Sequence, residues 1–353
     1  MKKILIPFII LLFSFISCKG EEKGKTTEPM KAIILFKTGS VKVSSKNTRK
    51  GDIITEGQEI VTGNKSFCDL QIISPKTEVT FRIKANSKLT FKHLNEKEQI
   101  LLHKGKAVFS VNKQNGDFQY STPAAVAGVR GTKFELSVDD NKSSSLKVIE
   151  SKVSYKVRVK EIEALSDSNQ KHPAIQKVKQ FIDENELVLG EAETITIDKS
   201  KSDKILKVAK LEKIISNPSD KKLNKALDEI KTDELSQNLS QIKKEDLSKI
   251  EKISDKDLEE SLEETKELEP VSESKLDKES IQKAVESRNN EIQDKLIKRL
   301  SETHNKRAQT IILNNGEKIR GIIGDTRHKD KYILITPNGT KEFSKNEVKN
   351  IEF

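Results

Sequence analysis

From Ala32 to Val138, apolar residues fall at every second position in short runs: SVKVS, DLQII, TEVTFRI, KLTFK, QILLHKGKAVFSV and TKFELSV. Alternation with period two places one face of each run in a core and the other in solvent. Runs of this length, spaced roughly eight to twelve residues apart, predict an all-β sandwich, roll or barrel. Glycines punctuate them at Gly39, Gly51, Gly57, Gly63, Gly105 and Gly116. These are positions where a chain that must reverse often can adopt positive φ.

The segment 122–136, TPAAVAGVRGTKFEL, concentrates the strongest constraints. Pro123 lacks an N–H and has a fixed φ, so it belongs at a corner or sheet edge. Ala124, Ala125 and Ala127 permit close packing, and Gly128 and Gly131 permit a sharp change of direction. Arg130 carries five donors in a rigid fork. Its expected role is to clamp the turn through nearby backbone or a carboxylate, so that Thr132–Val138 enters the sheet correctly. The competing role is to present the guanidinium to an anionic ligand.

These residues resemble the FecR domain family. The matching pieces are Gly39-Ser40-Val41, Gly51-Asp52-Ile53-Ile54, Gly57 to Gly63, a strand around Cys68, Ala85 to Leu89, and Leu102 to Val111. The final motif is matched at Thr122, Pro123, Ala125, Val129, Arg130, Gly131, Thr132 and Phe134. The resemblance covers about 31–160 and resumes at Leu187 to Glu191, leaving 161–186 as a helix-leaning insertion. It implies a β domain over 31–198, in which the motif turn, with Gly128, is structural or binding. It also implies a regulatory context, because FecR proteins with a membrane segment relay a receptor's ligand state to a cytoplasmic sigma factor. That arrangement uses a cytoplasmic N-terminal part and a spanning helix, neither of which is visible in this sequence.

The chain opens with Lys2-Lys3 and an apolar run, Ile4–Ile16, ending at Ser17-Cys18. That run is too short for a spanning helix and reads as a signal peptide over 1–17. Phe15-Ile16-Ser17-Cys18 resembles a bacterial lipobox of the relaxed, spirochaete-like kind. The resemblance implies lipidation (palmitate) at Cys18, a polar tether over 18–30, and export to the envelope; Lys19 after Cys18, in place of an inner-membrane-retaining Asp, points to the outer membrane, on its periplasmic or its surface face. Only one other cysteine exists, Cys68, inside an alternating run, where it reads as a small buried apolar residue.

Charge is unevenly distributed within the net +10: +10 over 31–218 but −7 over 219–287. Such asymmetry predicts electrostatic contact between the basic front and the acidic middle. Over 199–305 the periodicity becomes helical, in short units such as TDELSQNLSQI, KEDLSKIEKI and DKDLEESLEET. A longer helix follows from Lys275 to Thr303, striped by Ile281, Val285, Arg288, Ile292, Leu296 and Leu300. Over 306–353 alternation returns, with hairpin signals at Asn314-Asn315-Gly316 and Pro337-Asn338-Gly339. This last segment resembles small Sm-like or SH3-like barrels.

His93, His103, His172, His304 and His328 are scattered, and none falls in a zinc-ligand spacing. The chain carries no GxSxG, no P-loop and no dinucleotide fingerprint, and a non-enzyme with no cofactor or metal is expected. Dispersed lysines on an exported chain argue against nucleic acid. The expected fold is therefore a β sandwich or roll, an α-helical middle and a small C-terminal β-barrel. The expected function is a membrane-anchored, protein-binding or scaffold lipoprotein with an envelope protein partner. The alternatives are a periplasmic component of a FecR-type, iron-responsive signalling pathway, and a peptidoglycan- or host-protein-binding lipoprotein.

Overall fold

The computed structural model describes residues 31–353 apart from 74–76, 95–96, 115–117, 216–219, 248, 269–277, 325–329, 337–338 and 353. Cys18, the signal peptide and the tether lie outside the described residues. So do the expected punctuation at Gly116 and the turn residues Pro337-Asn338.

Two sheets form the N-terminal body. The front sheet runs, in spatial order, Ile53–Thr55, Lys31–Thr38, Phe67–Ile73, Thr77–Ile83, the second half of Lys97–Gln114, Lys133–Val138, Ser144–Glu150, Glu193–Ile197 and Ile250–Lys252. The back sheet runs Lys46–Asn47, Val41–Val43, Glu59–Thr62, Lys88–Leu94, the first half of Lys97–Gln114, Gln119–Ser121, Ala125–Val129, Val153–Val157 and Leu187–Leu189. All of these pairs are antiparallel except Gln119–Ser121 against 99–101, which is parallel.

The 18-residue strand Lys97–Gln114 belongs to both sheets and bends between them at Gly105, whose φ is +84°. The glycine there is required twice over. Its φ is left-handed, and a Cβ would lie 2.6 Å from the Cα of Ser87 and 2.2 Å from its Oγ. Ser87 Oγ in turn accepts the Lys106 N–H at 2.9 Å. Thr62, buried beside Gly63, donates to Lys84 O at 2.5 Å and accepts from Ser87 N at 3.0 Å. The Thr-Gly pair and the Ala85-Asn86-Ser87 turn thus hold each other through this hydroxyl.

Aromatic rings fill the space between the sheets. Phe81, Phe109 and Phe134 sit opposite one another on adjacent front strands and stack at 5.4 and 4.9 Å. Tyr120 meets both Phe109 and Phe134 edge-on, at 4.9 and 5.0 Å, from the back sheet. All four are fully buried, and each buried ring of this size contributes about 2–3 kcal/mol of transfer free energy. Cys68 is buried in the same core and unpaired, and desolvation pushes its thiol well above the ordinary range.

The insertion after 160 is helical, with Lys160–Glu163, Asp167–Gln170 and Pro173–Glu184, and the chain re-enters the back sheet at Leu187–Leu189. Short helices follow at Ser200–Val208, Glu212–Ile215, Asp220–Asp228, Thr232–Leu239 and Lys244–Leu247. Their buried leucines and isoleucines are continuous with the sandwich core. The expected helical unit KEDLSKIEKI is helical only over Lys244–Leu247. Ile250–Lys252 is a strand that closes on Glu193–Ile197, because Ile250 faces Ile195 and Lys252 reaches Glu193 at 2.9 Å. An open sheet edge nearby outweighed the local helical pattern.

Two helices cover the exposed side of the front sheet. Asp255–Lys266 packs Leu258 and Leu262 on Val108 and Ile149. Lys278–His304 packs Ile281, Ala284 and Val285 on Ile33 and Leu35. The C-terminal residues form a separate five-stranded antiparallel sheet in the order Gly339–Ser344, Lys331–Thr336, Lys318–Ile323, Gln309–Leu313, Val348–Glu352. Arg320 ties it to the long helix through Asp294 at 2.5 Å.

Candidate interaction site

The motif corner links the two sheets. Thr122 N–H donates to Ala125 O at 2.9 Å, and Thr122 Oγ1 accepts the Ala125 N–H at 3.0 Å. Pro123 and Ala124 therefore form the tip of a tight hairpin, where the missing proline N–H costs nothing. Ala125–Val129 then runs along Val153–Val157 in register, with Gly128 opposite Ser154. A Cβ at Gly128 would sit 2.5 Å from Ser154 Oγ. At Gly131, φ is +64° and the chain leaves the back sheet for Lys133–Val138 in the front one. Thr132 O accepts the Val111 N–H at 2.9 Å as the chain arrives, and Phe134 enters the aromatic stack. Thr122, Thr132 and Phe134 are buried, Val129 nearly so, and Pro123 and Gly128 are half-buried.

Arg130 does not clamp this corner. Its side chain is exposed and makes no hydrogen bond or ion pair with another described residue. The clamp is Arg158, which is 8 % exposed. It donates through Nη1 to Thr122 O at 2.9 Å and through Nε and Nη2 to the Glu163 carboxylate at 2.9 and 2.5 Å. Its own backbone N–H donates to Ala124 O at 2.8 Å. The physical reason is direction. Positive φ at Gly131 follows Arg130 at the end of its strand and leaves the side chain facing solvent. Arg158 instead directly follows the strand Val153–Val157 beside the hairpin and reaches across its tip. Sequence reasoning missed it because Arg158 and Glu163 straddle the junction of a strand and a short helix, where no periodic pattern applies.

The covered side of the front sheet carries a second charged constellation. Asp69 and Arg82 are register partners and form a two-pronged pair at 2.7 and 2.9 Å, with Asp69 fully buried. Arg82 reaches Glu267 at 2.8 Å and lies 4.6 Å from the Phe67 ring centroid. Lys84 is held between Glu135 at 2.9 Å and Glu264 at 2.7 Å. Burial opposes the charge on both cations, yet the surrounding carboxylates outweigh it, and the pKa of each is raised. Arg288, fully buried, donates to the Glu267 carbonyl. The basic front and acidic middle therefore meet here, as the charge asymmetry predicts.

Among the described residues no group of three or more His, Cys, Asp or Glu is placed to hold a metal ion. His103 lies against Thr90 Oγ1 at 2.9 Å and His172 against Asp228 at 3.1 Å, far apart in the chain. No helix among the described residues is long and apolar enough to cross a membrane.

No curated protein matches the chain. Two crystal structures of a candidate anti-sigma factor from Parabacteroides distasonis ATCC 8503, at 1.65 and 2.50 Å resolution, are similar at 14% identity with a TM-score of 0.27. The likeness covers 40% of this chain and 55% of theirs, so the chain spans about half the length of those structures. At that score the likeness does not define the function of this chain. Residues 58–154, from the strand Glu59–Thr62 through the motif corner to the strand beside it, match the family model of the FecR protein, a regulatory and envelope-associated family.

Proposed function

We propose that this chain is a non-enzymatic regulatory protein of the cell envelope. In this reading its FecR-like sandwich binds an envelope protein and takes part in a FecR-type signalling pathway. The observation that carries the reading is the FecR match over 58–154. The motif corner inside that match spends its glycines, threonines and Phe134 on folding but leaves Arg130 in solvent. An exposed, rigid guanidinium at a fixed turn suits a carboxylate on a partner surface. The helical segment braces the front sheet through Leu258, Leu262, Ile281, Ala284 and Val285, and Arg130 stays exposed for a partner.

Lipidation at Cys18 and an outer-membrane address belong to the same proposal, as do the domain limits 31–198, 199–305 and 306–353 and a small Sm- or SH3-like barrel at the C-terminus. The test is a photo-crosslinking residue at position 130, activated in intact cells. A discrete adduct with an envelope receptor supports signalling. Adducts with peptidoglycan alone, or none with any protein, overturn it. Mass spectrometry of the mature N-terminus checks the acyl groups on Cys18.

A further inference from the structure

A cleft of about 530 Å³ lies beside the motif corner, on the outward face of the back sheet. Leu101, Pro123 and Ala164 are the apolar residues of its lining. Four lysines reach it from four separate elements. Lys92 comes from the strand Lys88–Leu94, and Lys142 from the turn between Lys133–Val138 and Ser144–Glu150. Lys160 opens the first insertion helix, and Lys199 caps Ser200–Val208. The remaining charges in the lining are Arg158 and Glu163, which neutralise each other at 2.5 Å.

Of the nearby acids, Asp140 is taken by Lys104 at 2.7 Å, whereas Asp198, which accepts from Ser143 Oγ at 2.8 Å, keeps its charge but forms no ion pair with a described residue. Lys160 has only Glu161, at 3.9 Å. Lys92, Lys142 and Lys199 form no ion pair with a described residue. His103, also in the lining, responds to this field. Burial first, then the charges of Lys88 and Lys92, hold its pKa below 6.5.

Exposed lysines are common in a chain with 65 basic residues. These four, from separate elements, border one concavity whose lining is partly apolar. Such a concavity focuses the field of its lining charges, and its size is that of a small-molecule site.

We propose that this cleft binds a phosphate-bearing ligand. Ammonium groups act as compact point charges without the planar fork that selects a carboxylate. Four of them around one hollow suit a compact group with several negative oxygens. The site is independent of the proposed signalling role.

The experiment is calorimetric titration of the full chain with pyrophosphate at fixed ionic strength. The expected result is saturable one-site binding, weakened at least about tenfold in Lys92→Glu/Lys142→Glu. A control, Lys42→Glu/Lys46→Glu, carries the same change of net charge at the far edge of the back sheet and keeps wild-type affinity. Equal loss in the control, or equal heat from sodium chloride at matched ionic strength, overturns the site. The double variant retaining full affinity also overturns it. Release of bound pyrophosphate by phosphatidylglycerol vesicles, but not by phosphatidylcholine ones, assigns the natural ligand to a lipid headgroup. Indifference to both assigns it to a free phosphate compound.

Discussion

Arg158 holds Thr122: its Nη1 donates to the Thr122 carbonyl at 2.9 Å while its other two nitrogens grip Glu163. The residue that locks the hairpin thus lies 36 positions further along the chain. Arg158→Ala leaves a buried carbonyl without this donor and removes charge-assisted bonds. The expected loss is about 2 kcal/mol. Arg158→Lys keeps the charge but cannot bridge both acceptors, and falls between. Arg130→Ala, by contrast, changes stability by no more than about 0.5 kcal/mol, as an exposed substitution does. Urea denaturation midpoints at constant m-value decide the comparison. An Arg130 effect equal to that of Arg158 would return the clamp to Arg130.

The same chemical change at two glycines separates conformational strain from steric exclusion. Gly131→Ala meets only its left-handed φ of +64°, since nothing lies within 4 Å of the new methyl. It costs about 1–2 kcal/mol. Gly105→Ala meets φ of +84° and also drives the methyl into the Ser87 backbone. The long strand must then move at its crossing between sheets, and the loss exceeds that at Gly131 by at least about 1 kcal/mol. Thermal melting of the two variants side by side reads the difference. Equal losses would mean that Gly105 is tolerated by relaxation of Ser87.

The β half of this protein was legible because its signals are local. Alternation located Thr77–Ile83, Lys88–Leu94 and Lys133–Val138, and glycine positions located the joints at Gly63, Gly105 and Gly131. The return at Leu187–Leu189 and the helical insertion were also readable. What was not legible depends on distance in sequence. Ile250–Lys252 is a strand only because Glu193–Ile197 offers an edge. Arg130 and Arg158 cannot be told apart by composition, since only the direction of the backbone decides which one turns inward. The charge asymmetry announced a contact between basic and acidic segments, yet nothing in it singled out Arg82, Lys84, Glu264 and Glu267.

That contact centres on a buried pair whose removal should be asymmetric. Asp69→Ala leaves Arg82 without its register partner in a nearly dry setting and costs about 3–5 kcal/mol. Glu267→Ala costs less, because its side chain is 16% exposed and water can replace it. Replacing both members together, Asp69→Leu with Arg82→Met, recovers most of the Asp69→Ala loss, since no buried charge is left unpaired. Urea titration gives all three values. Limited proteolysis within 255–304 adds a second readout, because weakening the Arg82–Glu267 link should loosen the helices that cover the front sheet. A double variant less stable than Asp69→Ala alone would mean that the pair itself supplies net stability.

His103 gives the fold a pH dependence of defined sign. Its pKa in the folded chain is held below the ordinary 6.5, by burial first and then by Lys88, Lys92 and Arg158, with Glu59 opposing. Well above pH 6.5 the imidazole is neutral in both folded and unfolded chains, and it contributes no pH dependence. As pH falls through 6.5 the unfolded chain protonates first. It then binds more protons than the folded chain, so stability declines with falling pH. The decline levels off once the folded-state pKa is passed. His103→Gln retains a partner for Thr90 Oγ1 but cannot titrate. Its melting temperature should therefore fall less than that of the unsubstituted chain between pH 8 and pH 5. Parallel pH profiles for the two proteins would show that burial of His103 does not govern this window.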